Sequence, residues 1–531
     1  MMNFRTLLDT LSRSSAQAVS TLGNSSGDPV KDYLYIKTAI ESAFQSAIER
    51  ATSPEKIIFL CGSSGDGKSE ILNRNREQYS STLNFHPDAT HSFEPGMTAI
   101  ETLDQVFVDH KHSNKPLVVG INIGMLGNYA EEGAEEHGAI IRSIRAFLDD
   151  KHDEIPSEHV FLNFEDFPKF EPENDQIVAP FIQDLLTKIT QSTQDNPFYA
   201  AWQRESATMS GTLYANYRLL QYPEIQQVII RTLLKVRLKY EQFLTARTLL
   251  DFVHQLLTEP GHLFDNLFTN KATELAKALA HFDPCTIRSK DIDLFLVQKS
   301  LNIANPEFNA FQAGVCDLVI REEMSTGSWV RFFYLIQDLD LSNNYHHRFV
   351  DDFRSQLYEQ YIKVWLLHQQ YTGASTEKKS LREFYRKGIL EALFRFANRF
   401  APELTSRNQL FLAEYNGYQL STRADIKESL KRIGDYKPKR LGYFEALLKL
   451  DDEDLPPVPV SSNFLDLILK INSGYRPNKH DKNNIVILEE LIDDITRRVR
   501  GTDKLHIHKS DQHWVLINDQ DEEEIIVEGR E

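Results

Sequence analysis

The chain has 531 residues, of which 41% are hydrophobic and 26% charged, and a formal net charge of -18 at pH 7. This length exceeds the roughly 100 to 200 residues of one domain and predicts three or so units, and no apolar run approaches the ~20 residues of a membrane-spanning helix. The acidic balance excludes a protein that grips DNA unaided, because lysine and arginine drive nonspecific binding by displacing counterions from phosphates.

Residues 1–54 read as a helical lead-in. After Lys31, the positions Leu34, Ile36, Ile40, Phe44, Ala47 and Ile48 recur near a 3.6 period, and Pro54 ends the run. The N-terminus carries no apolar h-region or small-residue cleavage site, so a cytoplasmic location is expected. Lys56 to Cys61 is a short continuous apolar run of the kind a buried parallel strand requires. A helix is expected over Lys68 to Gln78, a strand over Ser81 to Phe85, and a helix from Met97 to about Asp109. Leu117 to Asn122 is a third strand, Glu135 to Leu148 an amphipathic helix and His159 to Phe164 a fourth strand. This βα alternation predicts an α/β fold with a parallel sheet over 55–200.

Beyond Glu173 strand signals become rare and long helices are expected: Ile225 to Tyr240, Thr248 to Leu257, Arg354 to His368 and Ile389 to Phe400. We divide this part into a lid-like helical region over 201–345, a helical domain over 346–455 and a small α+β region over 456–531. Thr372 to Lys379 and Asp451 to Pro459 read as linkers, and the acidic end from Asp519 as a frayed or docking tail. Strands are expected near Leu505 to His508 and Trp514 to Ile517.

The chemistry concentrates between the first strand and the helix after it. Gly62, Ser63, Ser64, Gly65, Asp66, Gly67, Lys68 and Ser69 spell GxxxxGK[ST] with every fixed position filled. Glycines let successive backbone N–H groups curl around phosphates, and the helix N-terminus adds its positive dipole end. Lys68 is expected on the β- and γ-phosphates of a nucleoside triphosphate and Ser69 on Mg²⁺. The carboxylate that completes such a site is open. The third strand ends in Asn122, and an amide cannot act as a base. One reading has Asn122 or Asn163 orient water while Glu165 or Asp166 supplies the carboxylate; the other has these residues simply end their strands. Asp88 is available in the loop after the second strand. Arg247, opening a helix after the core, is the candidate cation for the transition state, with Arg142 and Arg145 as alternatives.

Other features carry less. Cys61, Cys285 and Cys316 form no CxxC pair or disulfide framework and are expected to be buried packing residues. His506, His508, Asp511 and His513 place two imidazoles on one strand face, but a solvated edge strand accounts for them better than a metal site. His346 and His347 are expected to point to different sides and to pack or solvate separately.

Four segments together resemble a known family: Cys61 to Glu70, Pro87 to Phe93, Val119 to Leu126 and Asn163 to Phe167 are similar to the DNA phosphorothioation-dependent restriction proteins DptF, also called DndF. The resemblance covers about Lys56 to Phe170. It implies a P-loop NTPase core, AAA or ASCE-like, followed by a large mainly helical region, with ATP and Mg²⁺ as ligands. It also implies partners similar to DptG and DptH, and a role in bacterial restriction of DNA that lacks backbone sulfur, with DNA met through the complex. The alternative is a scaffold or signalling NTPase locked by nucleotide with negligible turnover.

Overall fold

The computed structural model describes residues 2–12, 29–89, 96–319, 324–499, 504–509, 512–519 and 524–530. Their contacts group them into two units, Met1–Glu171 with Ala179–Arg354, and Pro172–Val178 with Ser355–Glu531.

The first unit opens with α1 (Phe4–Asp9), α2 (Pro29–Leu34) and α3 (Ala39–Glu49). Next come β1 (Ile57–Gly62), α4 (Lys68–Tyr79), β2 (Asn84–His86) and α5 (Ala99–Lys111). β3 (Leu117–Asn122), α6 (Ile123–Glu132), α7 (Gly138–Leu148) and β4 (His159–Asn163) complete the βα series. The four strands form one parallel sheet in the order β2-β3-β1-β4.

Every β1 residue is buried because helices cover both faces. Ile57, Phe59 and Cys61 point into one cluster with Phe107 of α5, Tyr129 of α6 and Ile144 of α7. Ile58 and Leu60 point into the other, with Phe44 of α3 and Ile71 and Leu72 of α4. Two-sided burial is why the strand reads as an unbroken apolar run rather than an alternating one.

The chain then makes a hairpin of β5 (Glu171–Glu173) and β6 (Gln176–Val178), which turns through Asn174 and Asp175, both at positive φ. Helices α8 (Pro180–Thr190), α9 (Pro197–Ser206), α10 (Thr212–Leu220), α11 (Pro223–Tyr240) and α12 (Ala246–Thr258) begin the helical part of the unit, which runs to Phe353. The segment between β3 and α7 corrects the sequence reading. α6 follows β3 without a linker, because the Asn122 side chain caps it directly.

The second unit departs further from expectation. Strands are not rare there: β7 (Gln409–Tyr415), β8 (Tyr418–Arg423), β9 (Ile426–Glu428), β10 (Tyr443–Ala446), β11 (Leu448–Leu450), β12 (Glu453–Asp454) and β13 (Val458–Ser461) precede the C-terminal helices. β14 (Lys504–Lys509), β15 (Gln512–Asp519) and β16 (Glu524–Arg530) follow them, giving a five-stranded sheet in the order β16-β15-β14-β8-β7. Asn416 and Gly417, both at positive φ, make the β7–β8 turn, which is the strongest short hairpin signal a sequence offers.

Neither expected linker is purely a linker. Ser375 starts a helix to Phe384, and Val458–Ser461 pairs with β10, Pro459 standing opposite Glu445. Proline is tolerated because β13 pairs on one side only. Part of the acidic end is likewise structured, since Glu524–Arg530 pairs with His513–Asp519.

Candidate functional site

The carboxyl ends of β1, β3 and β4 lie side by side, with Gly62 opposite Asn122 and Cys61 opposite Asn163. Ligands of open parallel sheets bind at that edge. The loop Gly62–Ser69 leaves β1 there and enters α4, with Gly65 at φ 88° and Gly67 at φ 103°. Only glycine holds both conformations without strain. Gly67 is also the N-cap of α4 and supplies no side chain, so no cap occupies the first-turn N–H groups of this 12-residue helix. Uncapped N–H groups at a helix start favour an anion.

The loop is held by its own polar groups. The Ser63 backbone N–H donates to Asp66 Oδ2 at 2.6 Å. Lys68 Nζ donates to the carbonyls of Gly62 at 3.1 Å and Ser63 at 2.7 Å. Burial pushes the Lys68 ammonium below the usual lysine range, against the pull of Asp66 and Asp88, and the nearby Arg247 charge adds to the depression. Burial raises the Asp66 carboxyl, which the Ser63 N–H, Lys68 and Lys169 each hold down in part while Glu165 pushes it further up.

Arg247 comes to the loop from far along the chain. Its backbone N–H donates to the Gly65 carbonyl at 3.1 Å. A Cβ on Gly65 would meet Arg247 Cβ at 3.0 Å and Thr245 Oγ1 at 3.1 Å. Thr245 caps α12, accepting from the Thr248 N–H at 3.2 Å, and so fixes the helix start against the loop. Arg145 is engaged elsewhere, donating to the Ala130 carbonyl at 2.7 Å, and Arg142 is exposed on the same helix, α7.

Both strand-end amides act as caps. Asn122 Oδ1 accepts from the Met125 N–H at 2.6 Å, and the buried Asn163 Oδ1 from the Glu165 N–H at 3.1 Å. Glu165 is half-buried and Asp166 exposed. Glu165 acts on Asp66, Asp166 on Cys61 and Asp88 on Lys68. Gly120 makes that placement possible. A Cβ there would lie 2.6 Å from the Pro87 carbonyl and 2.5 Å from Leu72 Cδ1, and the Ala89 N–H donates to the Gly120 carbonyl at 2.9 Å. The strand glycine lets the β2 loop run close beside β3 and carry the half-buried Asp88 toward the phosphate loop. Thr90 to Phe93 of the same segment lie outside the described residues.

Sequence reasoning missed Thr245 and Lys169 at this site. No spacing marks either residue: each reaches the loop through the chain path, the first by way of α12 and the second by the turn after β4.

The remaining candidates resolve as packing. His506 Nδ1 lies 3.0 Å from His513 Nε2, and the rings of His508 and His513 stack at 4.5 Å. β14 is an interior strand, so the expected solvated edge does not apply, and Asp511 lies outside the described residues. Among the described residues no three His, Cys, Asp or Glu gather as a metal site. His346 and His347 do not pack separately, since both Nε2 atoms lie 3.0 Å from the Leu339 carbonyl. Cys61 is buried as expected, but Cys285 is half-buried and Cys316 exposed. Among the described residues no helix is long and apolar enough to cross a membrane.

No family model, curated protein or solved structure matches this chain.

Proposed function

We propose that this chain is the ATP-binding subunit, and an ATPase, of a bacterial phosphorothioation-dependent DNA restriction complex. The observation that carries nucleotide binding is the strand-loop-helix passage of Gly62–Ser69, with two positive-φ glycines, an uncapped helix start and a half-buried lysine. Its chemistry fits a polyphosphate. Loop N–H groups and Lys68 bind the phosphates, and Arg247 supplies a second cation for charge that develops on the transferred group. Ser69 and one nearby carboxylate would hold Mg²⁺, which would supply charge neutralisation at the phosphates. Asp88 suits the metal side by its action on Lys68. Glu165 or Asp166 suits the water side.

ATP as the nucleotide, the DptG- and DptH-like partners and the DNA substrate are supported by the resemblance of the four motif segments. The -18 charge supports DNA engagement through the complex rather than by this chain alone. The test is nucleotide hydrolysis by the purified chain, alone and with those partners and unmodified or phosphorothioated DNA. Turnover lost in Lys68→Ala and stimulated by unmodified DNA is the expected result.

One observation favours the alternative of a nucleotide-locked scaffold: both strand-end amides, Asn122 and Asn163, are committed to capping. Tight ATP binding with no turnover in any mixture would establish it.

A further inference from the structure

We propose that β16, an edge of the five-stranded sheet, pairs antiparallel with β16 of a second copy of this chain about a two-fold axis through Val527. The contact lies within the second unit and is independent of the nucleotide reading.

β16 is paired on one side only. Its residues Glu524–Arg530 pair with β15 without a register shift, and no strand among the described residues pairs with its other side. Such an edge presents a row of backbone N–H and C=O groups, a template for another strand unless a bulge, lysine, proline or covering element blunts it. β7, at the opposite edge, carries a bulge between Phe411 and Ala413. β16 has no bulge, lysine or proline, and Val527 at its centre is 59% exposed.

The residues of β16 select both the occupant and the register. A two-fold axis normal to the sheet keeps each face on its own side, so residues that stand opposite one another must share a face, and the axis must pass through a residue. Centred on Val527, the register sets Glu524 opposite the second copy's Arg530 and Arg530 opposite its Glu524, with Ile526 opposite its Glu528. Centred on Ile526, it sets Glu524 opposite the second copy's Glu528; centred on Glu528, it sets that residue opposite itself. Opposite charges across a strand pair attract and like charges repel, so Val527 is the favoured centre. The same register extends an apolar row. Leu505, Leu516 and Val527 are successive partners across β14, β15 and β16, and the row runs on through the axis into the second copy. A strand complementary to itself fits an isologous contact.

Sedimentation velocity on the full chain tests this. It compares the dimer dissociation constants of wild type, Glu524→Arg, Arg530→Glu and an equimolar mixture of the two variants, each checked for folding by its urea midpoint. Wild type is expected to dimerise. Each variant alone sets like charges opposite one another at both ends of the contact, and its dimer is expected to be about tenfold weaker. The mixture is expected to return to wild-type affinity as a heterodimer, because an edge with two arginines then meets an edge with two glutamates. Mixing would not repair a folding defect in either variant. A wild-type chain that stays monomeric, variants that each dimerise like wild type, or a mixture no tighter than its components overturns the inference.

Discussion

Asp88 and Glu165 act on different residues of the same loop. Asp88 pulls on Lys68 and Glu165 pushes on Asp66. Asp88→Asn is therefore expected to weaken binding of ATP with Mg²⁺ and leave binding without Mg²⁺ nearly unchanged, as titration in magnesium and in chelator would show. Glu165→Gln is expected to retain MgATP binding and abolish turnover; unchanged turnover would remove it from the water side. Asn122 is different in kind. Its side chain caps α6 at 2.6 Å, so Asn122→Ala should cost about 1 kcal/mol of stability in a urea titration whatever it does to turnover.

Among the elements, glycines mark the closest approaches. Gly120→Ala would drive a methyl group against the Pro87 carbonyl and Leu72, and is expected to destabilise the first unit by ~1–3 kcal/mol. Thermal unfolding would register the loss. β1 and β3 were legible in the sequence because burial on both faces leaves a continuous apolar signature, and the phosphate loop because its glycines recur at fixed spacing. The later strands were obscured for the opposite reason. β7 reads as buried at Gln409 and Leu410 but exposed from Ala413, so its pattern decays along its length. Even the Asn416-Gly417 turn went unread beside a strong helical texture. Arg247 was legible as a residue that opens a helix. That Thr245 and Arg247 back onto Gly65 belongs to tertiary packing, which no local pattern encodes.

Across the whole molecule, the division into two units gives separate handles on stability. Trp202 and Trp329 belong to the first unit, Trp365 and Trp514 to the second. In a chain that keeps only Trp202 and Trp329, fluorescence melts should shift upward with MgATP, by about 2.7 kcal/mol of stabilisation at 100 times Kd. The second unit carries an acid-sensitive core. The Leu447 N–H donates to Tyr385 Oη at 3.0 Å, and the Tyr385 hydroxyl can then donate to His368 Nε2 at 3.1 Å while Nδ1 donates to the Val364 carbonyl at 2.8 Å. That chain wants a neutral ring, and burial pushes His368 down to about 4. The unfolded ring takes its proton near pH 6.5. This stability is complete above pH 6.5 and falls as the pH drops toward 4. Replacing His368 with Gln should flatten that acid limb in urea titrations.

The contact between Arg247 and Gly65 also orders events in time. The two residues lie roughly 180 positions apart, and synthesis proceeds at about 5–20 residues per second, so a nascent chain carries an unbacked phosphate loop for roughly 10 to 40 s. Strands β1 to β4 can pair during that interval. The loop gains its support from α12 only when the helical part has emerged, so nucleotide would meet a finished site late in the birth of the chain.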